Sequence, residues 1–571
     1  MALDYFAPGV YVEEVDRGSR PIEGVSMSVA GFIGFTEDVR GDAELFKPML
    51  ITNWTQYLEC FGKEGSDGFT DFNAYLPFAV YGWFLNGGGR CWVTSIGTQL
   101  PGSEVNSSEQ PGLLVATAGK RPSLQFDLKL PSGEGDAPAL PPSGGGRIKI
   151  RVVDSQPKPL PEDAPEDAEA PFNTGEFFTL VVLQGEQVLE SYNNLSMNSQ
   201  VDTQVADYVG TALENSEYIT FTDISQGNNP LSKRPANGIY EIVPPPYIST
   251  PDKFPRDLQG VRDDKTGTQG IFEVDEVAMI ACPDLMRVYQ EGLIDLDQVH
   301  GIMEMMVSSC ENSFPGPAYR MVVLDPPPVK PGKNDNAPIP PEQQKPQDVA
   351  KWLGEFNRRS MFGALYYPWI QVPNPRNGGR PIAVPPCGHM MGVWCRTDES
   401  RGIFKAPAND TPRGIVGLAY DTNMREQELL NPLGINCIRN FVNYNRGYKI
   451  WGARTLVEPD NVQWRYISVR RLISYIEKSI EMGTQWVVFE PNDETLWGRV
   501  TRTVSSFLSR LWREGALAGA SPDQSFFVKC DGELNTPDTM MLGRLYVEVG
   551  VAPVRPAEFV IFRISQWAPG E

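Results

Sequence analysis

A chain of 571 residues is too long for one hydrophobic core, so several domains are expected, each large enough to be stable alone. Charged residues at 21%, hydrophobic residues at 41% and the lack of any apolar run approaching a membrane span mark a globular chain and exclude a transmembrane helix. The 50 basic and 72 acidic side chains leave a net charge of −22, which opposes non-specific binding to nucleic acid or anionic lipid.

The chain opens with Asp4 and no basic segment followed by an apolar stretch, which argues against a secretory signal and for assembly in the cytoplasm. "FAPGVYVEEV" then alternates as a strand does, with Val10 and Val12 on one face and Tyr11 and Glu13 on the other. The following "DRGSRPIEGVS" is turn chemistry, so no local hairpin satisfies the amides and carbonyls of residues 9–15. This strand has to find its partner elsewhere.

Residues 25–97 have an α/β pattern: "SVAGFIGF" is a buried strand, "NWTQYLECFG" a short helix with Asn53 as N-cap, and "RCWVTSIG" a second strand. From 101 to 235 the runs "LPSGEGDAPALPPSGGG" and "PLPEDAPEDAEAP" interrupt alternating stretches such as "RIKIRVV", as in an inserted, mostly β domain. Between 271 and 370 the pattern becomes βαβαβ, with "VAMIAC", "YRMVVL" and "GALYYPW" as strands. Val299, Ile302, Met303, Met306 and Cys310 mark one helix face there, and a doubly wound, largely parallel sheet is the expected architecture. Ligands in such folds gather at strand carboxyl ends, yet these ends are "CPD", "DPPP" and "YPW", without the Gly-rich turn that a phosphate needs.

Two amphipathic helices follow. Tyr466, Val469, Ile473, Ile476 and Ile480 line the first, with "QWVVFEP" expected as a strand after it. In the second, Leu496, Val500, Val504, Phe507, Leu508 and Leu511 form the apolar stripe, Arg499, Arg502, Arg510 and Arg513 share a separate face, and Gly515 caps the end. "LYVEVGVAPV" and "AEFVIFRISQW" are expected strands.

Candidate chemistry is sparse. His300 and His389 are the only histidines; His300 lies in a helical register and is assigned no role. Cys387, His389 and Cys395 could hold zinc, but a fourth ligand is missing and packing is the better reading, as it is for all eight cysteines, none of which forms a CxxC pair. Glu490, Asp493 and Glu494 are better explained by capping of the next helix, through Asn492 or Asp493, than by calcium binding or glycoside hydrolysis. No metal, cofactor or catalytic residue is assigned.

The segments "GALYYPWIQVPNP", "VPPCGHMMGVWCRTDESRGIFKAPAN", "LLNPLGINCIRNF", "IWGARTL" and "YISVRRLISYIEKSIEMGTQWVVFEPNDETLW", with "FAPGVYVEEV" at the start, resemble the contractile tail sheath proteins of phages, R-type pyocins and extracellular contractile injection systems. The likeness is collinear over 1–97 and 236–571, and departs from the family's small-residue "PPSG" stretch only at "PPCGHMMG". It implies an α/β multidomain protein: an N-terminal strand arm (1–24), the first part of the α/β core (25–100), an inserted mostly-β outer domain (101–235), a subtilisin-like α/β domain (236–435), a C-terminal domain facing an inner tube (436–550) and a C-terminal strand arm (551–571). It further implies strand exchange between subunits through Val10, Tyr11, Val12 and Glu13 and through Phe559, Val560, Ile561, Phe562 and Ile564. The implied function is structural: stacked hexameric rings around an inner tube, contracting to drive that tube through a target envelope, with baseplate and terminal cap proteins as further partners. Neither nucleic acid nor direct membrane insertion is expected, and the arginine face of 499–513 is expected to meet acidic groups on the tube. A baseplate or surface-layer subunit and an α/β hydrolase are the alternatives.

Overall fold

The computed structural model describes residues 21–103, 113–115, 122–129, 148–159, 172, 175–185, 187–225, 229–242, 248–312, 319–331, 337–441, 446–561 and 563. The expected strand containing Val10, Tyr11, Val12 and Glu13 lies outside these residues, as do Phe562 and Ile564. The chain forms two compact units: a larger one from Ser28–Glu399 and Pro407–Arg465, and a smaller one from Tyr466–Glu571, Ser400–Ala406 and the described part of Met1–Met27.

The larger unit is built on an eight-stranded sheet. Its strands are β1 (Val29–Gly34), β2 (Pro48–Ile51) and β3 (Arg90–Ser95) from the start of the chain, joined by later strands described below. Between them the chain makes β4 (Leu113–Val115), β5 (Pro122–Leu128), β6 (Ile148–Asp154), β7 (Phe178–Gln184), β8 (Gln187–Ser196), β9 (Asp207–Tyr208), β10 (Ile219–Asp223) and β11 (Gly238–Glu241). These eight form two separate sheets, β10-β5-β4 and β11-β6-β7-β8-β9, antiparallel except for the short β8–β9 pairing. Ile148, Ile150 and Val152 alternate inward from β6 against Leu124, Phe126 and Leu180, which gives this region a core of its own.

The chain then returns to the first sheet with β12 (Met279–Ala281), β13 (Met321–Leu324) and β14 (Gly363–Tyr367). A small antiparallel sheet of β15 (Ile370–Pro373), β16 (Pro381–Val384) and β17 (Gly417–Leu418) follows. Finally β18 (Ile435–Asn440) and β19 (Tyr448–Ile450) complete the order β19-β18-β14-β13-β12-β1-β3-β2. The six inner strands run parallel and only the edges β2 and β19 are antiparallel. Every residue of β1, β12, β13 and β14 is buried, the mark of parallel strands covered on both faces. Because β1 lies between β12 and β3, the parts expected over 25–100 and 236–435 share one sheet; neither could fold alone without exposing a central strand edge. The sheet runs on to Ile450, past the expected boundary at 435.

Local rules explain much of this. Asn53 accepts from the Gln56 N–H and caps helix Trp54–Phe61, while Asp295 and Gln298 form a capping box on helix Leu296–Glu311. Val299, Ile302, Met303, Met306 and Cys310 are all buried on that helix. Helix Cys387–Arg401 was not expected from the sequence; ten of its residues are buried. It packs on helix Tyr75–Asn86 so closely that a Cβ at Gly388 would lie 2.3 Å from the Ala79 carbonyl oxygen, and one at Gly392 2.7 Å from that of Trp83.

The smaller unit pairs helix Ile467–Gly483 with helix Glu494–Arg513 and a two-stranded sheet of β20 (Phe526–Lys529) and β21 (Glu548–Val551). All six residues of the predicted stripe on the second helix are buried. Asp493 accepts from the Leu496 N–H at its start; at its end Gly515, with φ +85°, donates to Trp512 while Ala516 donates to Leu511, the Schellman arrangement. The expected strand "QWVVFEP" is instead a 3-10 turn, Gln485–Val487, running into a loop. Among the described residues it pairs with no strand, and Phe489 is fully exposed with φ +70°. Among the described residues no helix is long and apolar enough to cross a membrane.

Valine at position 388 would drive its methyls into the Ala79 backbone, so Gly388→Val should lower the stability of the larger unit by about 3 kcal/mol, measured by denaturant unfolding.

Candidate assembly surface

The segment entering the smaller unit from the N-terminal side is clamped rather than loose. Ile22 is buried against Leu472, Ile476 and Leu508, Val25 donates its N–H to Ser479 Oγ at 3.2 Å, and Arg471 donates to the Met27 carbonyl at 3.1 Å. Gly24 passes so close to Tyr475 that a Cβ would fall 1.8 Å from its hydroxyl.

Two of the four arginines on helix Glu494–Arg513 are committed to this architecture. Arg510 donates to the Ile22 carbonyl at 2.9 Å and lies over the Phe507 ring, and Arg499 pairs with Glu490 at 3.0 Å and covers Trp486. Arg502 and Arg513 are exposed and have no ion-pair partner among the described residues. The predicted arginine face thus resolves into two structural cations and two presented to solvent. Sequence reasoning also missed Arg470 and Arg471, which are buried; Arg470 reaches Ser474 at 3.1 Å and Glu477 at 2.8 Å along its own helix, and burial pulls its guanidinium below the usual range. The Arg-Ser-Glu spacing of 470, 474 and 477 was the available signal.

The β20–β21 sheet turns Phe526, Val528, Val549 and Val551 toward the helices and Phe527 toward solvent, where Gly550 opposite makes room for the ring. Packing on the inner face is incomplete. An open groove of about 680 Å³ runs between sheet and helices, lined by Ile480, Val487, Leu496, Val500, Val547 and Val549, with Val488 and Phe489 at its rim. In the same unit Phe559, Val560 and Ile561 are 71%, 70% and 81% exposed and belong to no strand. The predicted strand "AEFVIFRISQW" accordingly has no ladder in its own chain among the described residues.

At the carboxyl ends of β12 and β13, the end at which a doubly wound sheet binds a ligand, the acids are engaged by the protein's own backbone. Asp284, after β12, accepts backbone N–H groups from Phe35 at 2.7 Å, Tyr75 at 2.5 Å and Leu76 at 3.2 Å. Asp325, after β13, accepts the N–H of Cys387 at 3.1 Å. His389 is buried over Gly82, and burial alone pulls its imidazole down to about 4. His300 accepts from the Trp352 indole at 2.9 Å and is likewise lowered by burial. Cys387, His389 and Cys395 therefore serve packing and capping on one helix.

Residues 330–456 match the phage tail sheath protein central domain, and residues 460–566 the phage tail sheath C-terminal domain. Both matches lie in the C-terminal half of the chain, which is there similar to phage tail sheath proteins. The tail sheath protein of Salmonella phage ViI is 27% identical over 211 residues, covering 36% of this chain and 32% of that protein. That of Burkholderia phage BcepMu is 27% identical over 171 residues, 29% of this chain and 35% of its own length. The matched stretches thus take in about a third of these relatives. Over nearly the whole chain the fold is that of the anti-feeding prophage helical sheath in its contracted state, with TM-score 0.54, 21% identity and coverage of 99% of this chain and 100% of that one. The PVC sheath complex of an extracellular contractile injection system, also contracted, gives TM-score 0.53 and 19% identity over 99% of both chains.

Removal of the Arg510 guanidinium deletes a charge-assisted bond worth about 1.5–3 kcal/mol. In Arg510→Ala the amides of residues 22–27 should exchange roughly ten times faster or more, while Arg513→Ala leaves them unchanged, as read by hydrogen–deuterium exchange.

Proposed function

We propose that this protein is the structural subunit of a contractile sheath, stacking as six-membered rings around an inner tube and shortening from a metastable extended state to drive that tube through a target envelope. The observation that carries the reading is the presence, in one unit, of an exposed apolar segment, Phe559–Ile561, that pairs with no strand among the described residues, and of a two-stranded sheet beside an open apolar groove. A strand from another copy, laid on a free edge of the sheet, gains main-chain hydrogen bonds and puts alternate side chains over the groove. Phe562 and Ile564 would continue that donated strand. Val10, Tyr11, Val12 and Glu13 would form a second one, launched from the anchor at 21–27. Donor and acceptor are different surfaces, and such heterologous contacts propagate into open helices instead of closing as dimers.

In this reading the acceptor groove, its rim at Val488 and Phe489, and the donated arms keep neighbours linked while ring packing changes, so contraction draws on a difference in inter-subunit packing and consumes no nucleotide. The larger unit corresponds to the subtilisin-like domain with an outer β insertion. Arg502 and Arg513 are assigned to acidic groups on the inner tube, and baseplate and cap proteins terminate the stack.

Electron microscopy of the purified chain should show striated tubes, whereas a chain lacking residues 1–20, or one ending at Ala557, should give monomers or isolated rings. Equal assembly by all three would sink strand donation, and flat arrays from the full chain would point to a surface-layer subunit. Arg502→Glu combined with Arg513→Glu should weaken co-assembly with the tube protein roughly several-fold at low salt and less at high salt, as expected of exposed pairs; unchanged co-assembly would remove the tube contact from these residues.

A further inference from the structure

The sequence holds three Asn-Gly dipeptides, Asn86-Gly87, Asn237-Gly238 and Asn377-Gly378, all in the larger unit, and the fold treats each differently. With no Cβ on the following residue, nothing shields its backbone nitrogen from the asparagine's side-chain carbonyl carbon, so how firmly the fold holds the two decides whether they meet. Asn86 is buried at the end of helix Tyr75–Asn86; its Nδ2 donates to the Gly82 and Arg413 carbonyls at 2.8 and 3.2 Å, and its Oδ1 accepts the Arg413 N–H at 2.7 Å. The Gly87 N–H is itself engaged by the Phe84 carbonyl at 3.3 Å. Asn237 is exposed, but its Oδ1 accepts from the buried Arg234 guanidinium at 2.6 Å, and Gly238 pairs with Val152 in the β11–β6 ladder.

Asn377 has neither restraint. It ends the 3-10 turn Pro375–Asn377 at the tip of the hairpin that joins β15 to β16. The base of this tip is tied down: Asn374 is buried, donates to Asn73 Oδ1 at 2.8 Å and accepts the Arg376 N–H at 3.0 Å, while Arg376 pairs with Glu37 and, at 3.0 Å, with Asp67. Asn377 is exposed, and neither its side chain nor the Gly378 N–H makes a hydrogen bond among the described residues. Gly378 has φ +60°, and a Cβ built on it would meet nothing within 4 Å, so there is room for a ring to close and for water to enter.

We propose that Asn377 is a self-modifying site, which converts to aspartate and isoaspartate in the folded protein with water as the only co-reactant. The Gly378 nitrogen bonds to Cγ of Asn377, the Cγ–Nδ2 bond breaks, and the proton from the Gly378 nitrogen leaves with the amide as ammonia. Water then opens the cyclic imide: cleavage of the new bond at Cγ gives aspartate, and cleavage at the main-chain carbonyl gives isoaspartate. No electrons are transferred, and each event places a carboxylate in sequence between Arg376 and Arg380 where a neutral amide stood. The isoaspartate product also lengthens the main chain by a methylene at the turn, where the Arg380 N–H bonds to the Asn377 carbonyl at 3.2 Å.

The test is peptide mass mapping of the full-length protein sampled over days in mildly alkaline buffer. Asn377 should convert roughly ten times faster or more than Asn237, the advantage expected where a charge-assisted hydrogen bond is absent, and Asn86 should stay unchanged. Equal rates at Asn377 and Asn237, or no conversion at Asn377, would overturn the site. In the same chain unfolded in urea all three should convert at similar rates; a lead for Asn377 that survived unfolding would make its reactivity a property of the neighbouring residues instead of the fold, and would overturn the assignment as well.

Discussion

A two-stranded sheet cannot satisfy both of its outer edges, and the smaller unit depends on how that deficit is met. An isolated hairpin is marginal in water, and β20–β21 survives by packing Val528, Val549 and their neighbours on two long helices. The packing stops short, however, and leaves a groove of about 680 Å³ between sheet and helices. That is room for several side chains, in a unit whose remaining core is closed by Val504, Phe507, Leu508 and Leu511. A core left open beside unpaired strand edges is completed most cheaply by a strand, since one segment supplies both the missing hydrogen bonds and the missing apolar atoms. Under the proposed reading, assembly finishes the folding of this unit, and its stability becomes a property of the polymer.

The larger unit shows the opposite condition, with the acids after two of its central parallel strands taken up by the chain's own backbone. Its strand ends carry acids and thiols in quantity, yet Asp284 and Asp325 are occupied in capping helices and Cys387 in bonding to Asp325. Gly34 marks how tightly this is done, because a Cβ there would lie 2.3 Å from the Asp284 carboxylate. The acids after β12 and β13 thus bind the chain's own helix ends, which under the proposed reading suits a body that transmits force without deforming.

Local signals were legible in the sequence and non-local ones were not. The apolar stripe from Leu496 to Leu511, the face from Val299 to Cys310 and the caps Asn53 and Asp493 follow from spacing and side-chain chemistry within one or two turns. The joining of 25–100 to the later strands was hidden because parallel pairing links residues about 250 positions apart with no turn between them to announce it, as with Ala30 and Met279. The run Val487-Val488-Phe489 has the composition of a strand, but composition does not say whether a segment pairs, and among the described residues this one joins no sheet. Helix Cys387–Arg401 escaped because its first turns are apolar all round, leaving no periodicity to detect. Of the candidate site, the helical arginine face was visible, whereas the division of labour within it was not.

That division shapes how the protein could hold an acidic partner. Residues 21–27 meet helix Glu494–Arg513 near its C-terminal end and the 485–490 turn meets it near its N-terminal end, and each takes one arginine out of the face. Arg502 and Arg513 remain, eleven positions apart, or roughly 16 Å along the axis at 1.5 Å per residue. With screening over about 8 Å at physiological salt, two such cations act independently, each contributing the small energy of an exposed pair. The smaller unit as a whole is within a few charges of neutral, and nearly all of the net charge of −22 lies in the larger one, so no broad basic field adds to them. A contact of this kind is weak for one copy and strong only when summed over many copies, which under the proposed reading donated strands hold in register. It is also one that can be given up pair by pair, without any buried charge being stranded, when the copies change their packing.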